Sequence, residues 1–193
     1  MFNIIFGIYN YFIKKGFYHF GKNSSIKPFL NTTNKKYISI GDNVSIGSFA
    51  WIGVDTDFAG IKCKSKNKIR LKIGDNSTIG NNSIITANNS VLIGKNCILS
   101  AYVFISDHVH EYNNISKNLN QQPLSENGSV IIGDNVFIGT KASIMRNVTI
   151  GERSVIGANT VVTKDIPSYS VVVGNPGKII KRYDFIKKDW IKF

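Results

Sequence analysis

Hydrophobic positions along this chain recur every six residues. An aliphatic residue followed by glycine appears at Ile40, Ile46 and Ile52, and the same register returns after residue 72 and again after residue 131. The later aliphatic residues of the series, not all of which precede a glycine, are Ile73, Ile79, Ile85, Ile93, Leu99, Ile105, Ile132, Ile138, Ile144, Ile150, Ile156 and Val162, with a two-residue slip before Ile93. Such a fixed period over most of a chain is typical of a solenoid of stacked repeats.

A period of six does not fit a helix, but it fits a short strand followed by a tight corner. In each hexad the fifth position holds a small or β-branched residue, as at Val44, Ala50, Ser77 and Val136, so positions one and five can share a narrow interior. Between them stand segments such as Gly-Asp-Asn, whose residues tolerate left-handed backbone conformations. The pattern predicts an all-β solenoid.

Two interruptions break the register, at about residues 54–72 and 106–131. Both segments are polar, and the second opens with Ser106-Asp107-His108-Val109-His110. Loops that leave a rigid scaffold commonly carry binding and catalytic residues. We therefore expect the functional site in these insertions.

The ends of the chain follow a helical spacing instead. Residues 1–37 are expected to form an amphipathic helix and a lead-in, residues 38–177 the β-helix, and residues 178–193 a C-terminal helix. The N-terminal helix is expected to pack on the domain, with membrane contact through residues 2–15 as the alternative. The helical pattern at the C-terminus is carried by Ile179, Tyr183, Ile186 and Trp190.

Composition narrows the function classes. The net charge of +12 favours an anionic partner, but basic and aromatic residues are not interleaved as in a nucleic-acid module, so no nucleic-acid binding is expected. With Cys63 and Cys97 as the two cysteines, neither a disulfide scaffold nor a zinc cluster is indicated, which fits a cytoplasmic setting. Membrane contact by the N-terminal helix would place the protein at the inner membrane surface.

From about residue 73 to residue 182 the sequence resembles the hexapeptide-repeat acyltransferases of the galactoside, maltose and polysaccharide O-acetyltransferase group. The resemblance rests on the hexads, on Asp107-His108-Val109-His110, on the block at 132–139, on Val161-Val-Thr-Lys-Asp-Ile-Pro167 and on Gly174-Asn-Pro-Gly-Lys178. It implies a left-handed parallel β-helix, an exception to the usual crossover handedness, and a homotrimer with sites between subunits. It also implies acetyl transfer from acetyl-CoA to a sugar hydroxyl in surface polysaccharide biosynthesis.

The same resemblance implies roles for individual residues. His108 stands where the family has its catalytic histidine, which acts as a general base. His110, Asn81 and Asn82 are candidates for binding or orienting the acceptor, with Asn88 an equal alternative among the asparagines. Phe137 occupies a position where many relatives carry Trp, so an indole hydrogen bond is lost there while stacking is retained. The acetyl-CoA groove is expected along Thr140, Ala158, Thr163, Lys164, Lys178 and Lys181.

Several alternatives remain open at this stage. The acceptor is expected to be a sugar, a nucleotide sugar or a lipid-linked glycan, and N-acetylation of an amino sugar competes with O-acetylation. A non-catalytic β-helix that serves as a binding or scaffold protein is a further alternative. No metal is expected. A metal hydratase on the same solenoid would need three histidine ligands, and with His19, His108 and His110 as the histidines of the chain this alternative stays open only through histidines shared across a trimer interface.

Overall fold

The computed structural model describes the backbone of residues 2–192 and the side chains of residues 7–192. Helix α1 spans Phe2–Ile13, and short 3₁₀ turns lie at Lys35–Tyr37 and Leu119–Gln121. The strands follow in chain order: β1 His19–Phe20, β2 Ser25–Ile26, β3 Ile38–Ile40, β4 Ser45–Ile46, β5 Trp51–Val54, β6 Asp57–Phe58, β7 Ile61–Lys62, β8 Leu71–Ile73, β9 Thr78–Ile79, β10 Ile84–Ala87, β11 Ser90–Ile93, β12 Ile98–Leu99, β13 Phe104–Ser106, β14 Ser129–Ile132, β15 Phe137–Ile138, β16 Ser143–Ile144, β17 Val148–Ile150, β18 Val155–Ile156, β19 Val161–Val162, β20 Ser170–Val173, β21 Lys178–Asp184 and β22 Asp189–Lys192.

Three parallel faces wind around one axis. Face 1 runs in the order β1-β3-β8-β11-β14-β17, face 2 in the order β2-β4-β9-β12-β15-β18-β20 and face 3 in the order β5-β10-β13-β16-β19. Each strand pairs with its equivalent one coil away, as in the parallel register of Ile98 with Phe137 and of Leu99 with Ile138. This arrangement confirms the predicted left-handed parallel β-helix.

The interior is a thin column of aliphatic side chains. Residues at position one, such as Ile40, Ile79 and Ile105, are fully buried, and so are residues at position five, such as Val44 and Val136. Because successive coils stack at roughly 4.8 Å, each side chain is packed between its equivalents above and below. No coil buries its own isoleucines without its neighbours, so the stability of the solenoid comes from stacking.

Asparagine and glycine have different structural roles at the corners. The left-handed backbone conformation falls on asparagines such as Asn43, Asn76 and Asn135, with φ of 56°, 58° and 59°. Glycine at the second position is needed for a different reason, because a Cβ at Gly139 would lie 2.6 Å from the backbone nitrogen of Ala158 in the next coil. The hexad glycines therefore permit close stacking rather than a left-handed turn.

The β-helix begins earlier than predicted. Strands β1 and β2 pair in parallel with β3 and β4, and Asn31 forms a bridge to Trp51. The lead-in assigned to residues 1–37 thus contains a complete coil, in which Ile26 is fully buried. Phe20-Gly21-Lys22-Asn23 opens a hexad that ends directly before Ile26, but glycine does not follow Ile26, and this obscures the repeat.

The C-terminal helix predicted at residues 178–193 is wrong for residues 178–192, and residue 193 lies outside the described residues. Strands β21 and β22 form an antiparallel hairpin that extends face 2 beyond β20. The spacing of Tyr183 and Trp190 fits a helix equally well, but in the hairpin these two rings pack edge to face, with centroids 5.6 Å apart. The exposed edge of β20 offers backbone hydrogen bonds that an isolated short helix cannot match.

The N-terminal helix packs on the first coil. Asn10 donates through Nδ2 to the carbonyl of Ile26 and accepts through Oδ1 from its amide. Tyr9 and Ile13 pack against the core, while Ile8, Tyr11 and Phe12 are exposed. Among residues 2–192, no helix has the length and apolarity required to cross a bilayer.

The stacked core gives a direct test of the fold. Ile79→Ala removes a fully buried side chain from the middle coils, so we expect the free energy of unfolding to fall by about 3 kcal/mol, as for other large-to-small core substitutions. Chemical denaturation followed by circular dichroism measures the change. Ile115→Ala, at a side chain that is 98% exposed in the second insertion, is the control. Equal effects of the two substitutions would contradict the assigned core.

Candidate active site

The two insertions meet over face 3 and enclose a cavity of about 480 Å³. Lys64 and Glu126 form an ion pair across them at 3.3 Å, and the rings of Phe58 and His110 pack edge to face with centroids 4.4 Å apart. The end of the first insertion is held by Arg70, whose buried guanidinium donates to the carbonyls of Ser65 and Asn88 and covers the ring of Tyr37. The cavity is therefore formed by segments about 50 residues apart in sequence.

The wall contributed by face 3 is mostly apolar, with Thr86 and Ser106 as its polar members. Trp51, Ile84 and Phe104 occupy equivalent outward positions of three successive coils and line the cavity. Phe58 and Leu124 add apolar surface from the two insertions. Such a wall can hold the carbon face of a sugar ring, while polar groups at one end fix its orientation.

The polar end of the cavity is formed by a column of residues at equivalent positions in successive coils. Asp55, Asn88 and His108 each follow the first isoleucine of their hexad by three positions, and the strand registers stack them in successive coils. Asn88 is buried and serves as a brace, since its Nδ2 donates to the carbonyl of Ser125 at 3.0 Å. The coil register thus brings an aspartate and a histidine from distant segments to one point.

Asp107 fixes the orientation of the His108 ring. Its carboxylate is 0% exposed and lies 2.8 Å from Nδ1 of His108. The same carboxylate accepts hydrogen bonds from the backbone amides of Asn88, Asn89 and Ser90. Because these donors come from the turn between β10 and β11 and from the first residue of β11, the carboxylate and the ring are anchored to the solenoid.

The other ring nitrogen faces the cavity and the second carboxylate. Nε2 of His108 lies 3.3 Å from Oδ2 of Asp55. Burial alone would lower the pKa of His108, but the hydrogen bonds to Asp107 and Asp55 and the charges of these two groups outweigh it and raise the pKa to about 9. At neutral pH the imidazole is therefore protonated in this geometry.

The structure distributes the other predicted residues over several sites. His110 lines the same cavity as His108. Asn81 and Asn82 lie at the corner between faces 2 and 3, where Asn81 accepts from the amide of Ser48 and Asn82 has a φ of 57°. Phe137 projects outward from face 2. Within one chain, these last three side chains do not line the cavity around His108.

The residues expected along the acetyl-CoA groove also fall into separate groups. Thr140 and Ala158 lie in adjacent coils at the corner between faces 2 and 3. Thr163 and Lys164 follow β19 and share the corner of His108, two coils further on. Lys178 and Lys181 belong to β21, where a strand replaces the predicted helix.

Sequence reasoning did not identify Asp55, Asp57 and Phe58, which the first insertion contributes to the cavity. It also left open which group orients His108, a role that the structure gives to Asp107. A signal for Asp55 was present, since it stands at the same hexad position as His108. Among the residues with described side chains, no group of three His, Cys, Asp or Glu is placed to hold a metal ion.

Comparisons with known proteins agree with the repeat pattern. The family described as "Bacterial transferase hexapeptide (six repeats)" matches residues 129–164, and the family described as "Hexapeptide repeat of succinyl-transferase" matches residues 37–55 and 70–106. The putative lipopolysaccharide biosynthesis O-acetyl transferase WbbJ of Escherichia coli K12 is 29% identical over 165 residues, which cover 82% of this chain and 79% of that protein. Two other curated relatives match only in part: a probable acetyltransferase of Mycobacterium tuberculosis over 60% of this chain and 40% of that protein, and a putative acetyltransferase of Staphylococcus aureus over 30% of this chain and 29% of that protein.

Solved structures support the fold. AntD, an N-acyltransferase from Bacillus cereus in complex with dTDP and 3-hydroxybutyryl-CoA, superposes with a TM-score of 0.72 at 23% identity, over 89% of this chain and 86% of that chain. A galactoside acetyltransferase in complex with coenzyme A gives a TM-score of 0.59 at 27% identity, over 94% of this chain and 72% of that chain.

The fold and the site define a hexapeptide-repeat protein with a histidine-centred cavity between two insertions. Its predicted resemblance to the hexapeptide-repeat acyltransferases, the group that includes galactoside, maltose and polysaccharide O-acetyltransferases, is confirmed.

The raised pKa of His108 has a consequence for stability. Since the pKa is about 9 in the folded protein and about 6.5 in an unfolded chain, its stabilising contribution is complete below pH 6.5 and is lost as the pH rises through 9. We expect the free energy of unfolding to fall by a few kcal/mol across this window, at about 1.4 kcal/mol for each pKa unit. Denaturation at pH 6, 7.5 and 9 measures it. His108→Gln should lack this decline, and parallel curves for the two proteins would refute the assignment.

Proposed function

We propose that this protein is an acetyl-CoA-dependent O-acetyltransferase that acetylates a sugar hydroxyl by direct transfer, with His108 as the general base. The observation that carries the proposal is the His108 ring, which is held by Asp107 through Nδ1 and presents Nε2 to a cavity with an apolar wall. This is the geometry that general-base catalysis needs, since the base is oriented from behind and its reactive nitrogen faces the acceptor.

The chemistry follows from that orientation. A sugar lies against Trp51, Ile84 and Phe104, and one of its hydroxyls donates to Nε2 of a neutral His108. Nε2 takes the proton as the hydroxyl oxygen attacks the thioester carbonyl, and the proton then passes to the departing thiolate. Asp107 stabilises the imidazolium that forms between these two steps, as the buried carboxylate of a catalytic triad does. The products are an acetyl ester and the free thiol.

The donor is proposed to be acetyl-CoA, which the complex of the similar galactoside acetyltransferase with coenzyme A supports. Thr163 and Lys164 share the corner of His108, so the pantetheine arm can run along this corner toward β21. Lys178 and Lys181 supply positive charges for its phosphates, and Thr140 and Ala158 offer main-chain groups at the neighbouring corner. No resident metal is part of the proposal.

We propose that the working assembly is a homotrimer with the site completed by a neighbouring subunit. Within one chain, Phe137, Thr140 and Ala158 lie on the other side of face 3 from His108, so a single chain does not unite the expected groups. Faces 2 and 3 also present exposed apolar side chains where they meet, among them Ile98, Phe137 and Tyr102. Apolar surface of this kind marks a protein interface in other proteins.

For the acceptor, the similarity to WbbJ supports a sugar of a surface polysaccharide, presented as a nucleotide sugar or a lipid-linked glycan. In that setting the protein would work in the cytoplasm, at the inner membrane surface. The exposed Ile8, Tyr11 and Phe12 of α1, which are followed by Lys14 and Lys15, have the chemistry expected for contact with an anionic lipid surface.

A second candidate is N-acetylation of an amino sugar. The observation that favours it is the pair of carboxylates, Asp55 and Asp57, in the wall of the cavity. These carboxylates can bind an ammonium group, and they can equally accept hydrogen bonds from hydroxyls. Parallel assays with matched hydroxy and amino sugars decide between the two acceptors, and thioester cleavage separates both from a non-catalytic scaffold.

The proposed base can be tested by substitution. His108→Ala should lower the rate of acetyl transfer by at least ~10²-fold, because general-base catalysis contributes roughly 10²–10⁴-fold. Acetyl-CoA cleavage is followed by release of the free thiol, and calorimetry checks that coenzyme A still binds. His19→Ala, at an exposed histidine of the first coil, is the control and should be fully active. Full activity of His108→Ala would remove His108 from the mechanism.

The pH dependence provides a second test. Since the base must be neutral and its pKa in the free protein is about 9, kcat/KM should rise roughly tenfold per pH unit below pH 9 and level off above it. The profile is measured from pH 6 to 10 after subtraction of spontaneous thioester hydrolysis. A plateau that begins near pH 6.5 would show that the base has the ordinary pKa of an imidazole and would contradict this prediction.

A further inference from the structure

Both ring nitrogens of His108 are occupied by carboxylate oxygens. Nδ1 lies 2.8 Å from Oδ1 of Asp107, and Nε2 lies 3.3 Å from Oδ2 of Asp55. An ionised carboxylate only accepts hydrogen bonds, so each ring nitrogen must carry a proton to satisfy this geometry. This geometry therefore holds an imidazolium between two carboxylates, and an imidazolium has no lone pair with which to remove a proton.

The charged surroundings of the ring favour this state. Asp107 approaches from the end of β13, Asp55 from the end of β5, and Asp57 and His110 stand in the cavity wall. Among the described residues that line the cavity, none is a lysine or an arginine. No other fixed cation of the lining competes with the imidazolium for these carboxylates.

The two carboxylates differ in how firmly they are held. Asp107 is 0% exposed and is bound by three backbone amides, so it cannot leave the ring without breaking the turn before β11. Asp55 is 27% exposed, makes the longer contact and stands in the cavity wall. Asp55 is thus the partner that an incoming molecule can displace.

We propose that Asp55 is a positioning residue that keeps His108 inactive as a base until an acceptor enters, and so protects bound acetyl-CoA from hydrolysis by water. The proposal rests on the function proposed above. Water alone is a poor substitute for Asp55, since it brings neither the apolar contacts to Trp51 and Phe104 nor several hydroxyls at once. A sugar brings both, and one of its hydroxyls can donate to Asp55 while another takes the place of Asp55 at Nε2.

Each proton is accounted for in the proposed reaction steps. When the acceptor displaces Asp55, the Nε2 proton leaves to solvent through the open mouth of the cavity, and the ring becomes a neutral base. Nε2 then takes the hydroxyl proton as the oxygen–carbon bond forms and the carbon–sulfur bond breaks, and it returns this proton to the thiolate. Hydrolysis follows the same path with water in place of the sugar, so it requires a neutral ring in the absence of any acceptor.

The test uses acetyl-CoA and water, without a sugar. In the wild type, His108-dependent hydrolysis should be slow at pH 7 and rise toward pH 9. Asp55→Asn removes the negative charge from Nε2, so hydrolysis at pH 7 should increase at least ~10-fold, since each unit by which the pKa falls frees about tenfold more neutral imidazole. Asp55→Glu should restore slow hydrolysis, and adding His108→Ala to Asp55→Asn should abolish the gain.

A second measurement does not depend on turnover. NMR titration of the His108 ring should show a midpoint at least one pH unit lower in Asp55→Asn than in the wild type. Glu111→Gln is the matched control, because it removes one carboxylate from the second insertion that contacts Asn113 and not the ring, and it should change neither quantity. Asp55→Ser replaces Asp55→Asn if the amide variant does not fold.

The outcomes separate the two proposals. Hydrolysis at pH 7 that is unchanged by Asp55→Asn, while the wild type shows His108-dependent hydrolysis at pH 9, overturns the role of Asp55 and leaves the acetyltransferase intact. An unchanged midpoint of the His108 ring titration in Asp55→Asn would likewise overturn the role of Asp55 and leave the acetyltransferase intact. If no variant cleaves acetyl-CoA at any pH, with or without a sugar, the proposed function itself fails, and the role of Asp55 with it. Transfer to a sugar without hydrolysis by any variant overturns the role of Asp55 alone.

Discussion

The parallel hydrogen-bond register between successive coils is the constraint on which the rest of this structure depends. Each short strand is too small to be stable alone, and it gains its partners only when the equivalent strand of the next coil lies directly above it. Glycine at the second hexad position permits this approach, and asparagine at the corner supplies the left-handed turn. A coil that slipped by one residue would move its isoleucine from the interior to the outer surface.

The same register builds the site. Asp55, Asn88 and His108 are far apart in sequence, but they share one hexad position and are therefore stacked in one column. The insertions leave the solenoid close to this column, so they can change in length and sequence while the column keeps its geometry. Catalytic groups at the root of a loop combine the rigidity of the scaffold with the access to solvent that chemistry requires.

The charge on His108 illustrates how burial and hydrogen bonding oppose each other. Burial disfavours the imidazolium, yet the two carboxylates retain it and raise the pKa to about 9. The buried carboxylate of Asp107 accepts hydrogen bonds from backbone amides, which replace the water that it loses on burial. Each carboxylate has its own place in the proposed cycle, Asp107 behind the ring and Asp55 at its reactive side.

The sequence alone determined the coil architecture, since a six-residue repeat of isoleucine, glycine and asparagine has one efficient way to bury its apolar side chains. It also indicated the second insertion and, through the family resemblance, His108 as the residues on which the proposed function rests. The tertiary structure decided what depends on contacts between distant segments. Asp55 and Asp107 became partners of one ring because coils stack in register, and residues 178–192 became a hairpin because the open edge of β20 supplies backbone hydrogen bonds. The helical spacing of Tyr183 and Trp190 carries no information about that edge. The first coil was missed because no glycine follows Ile26.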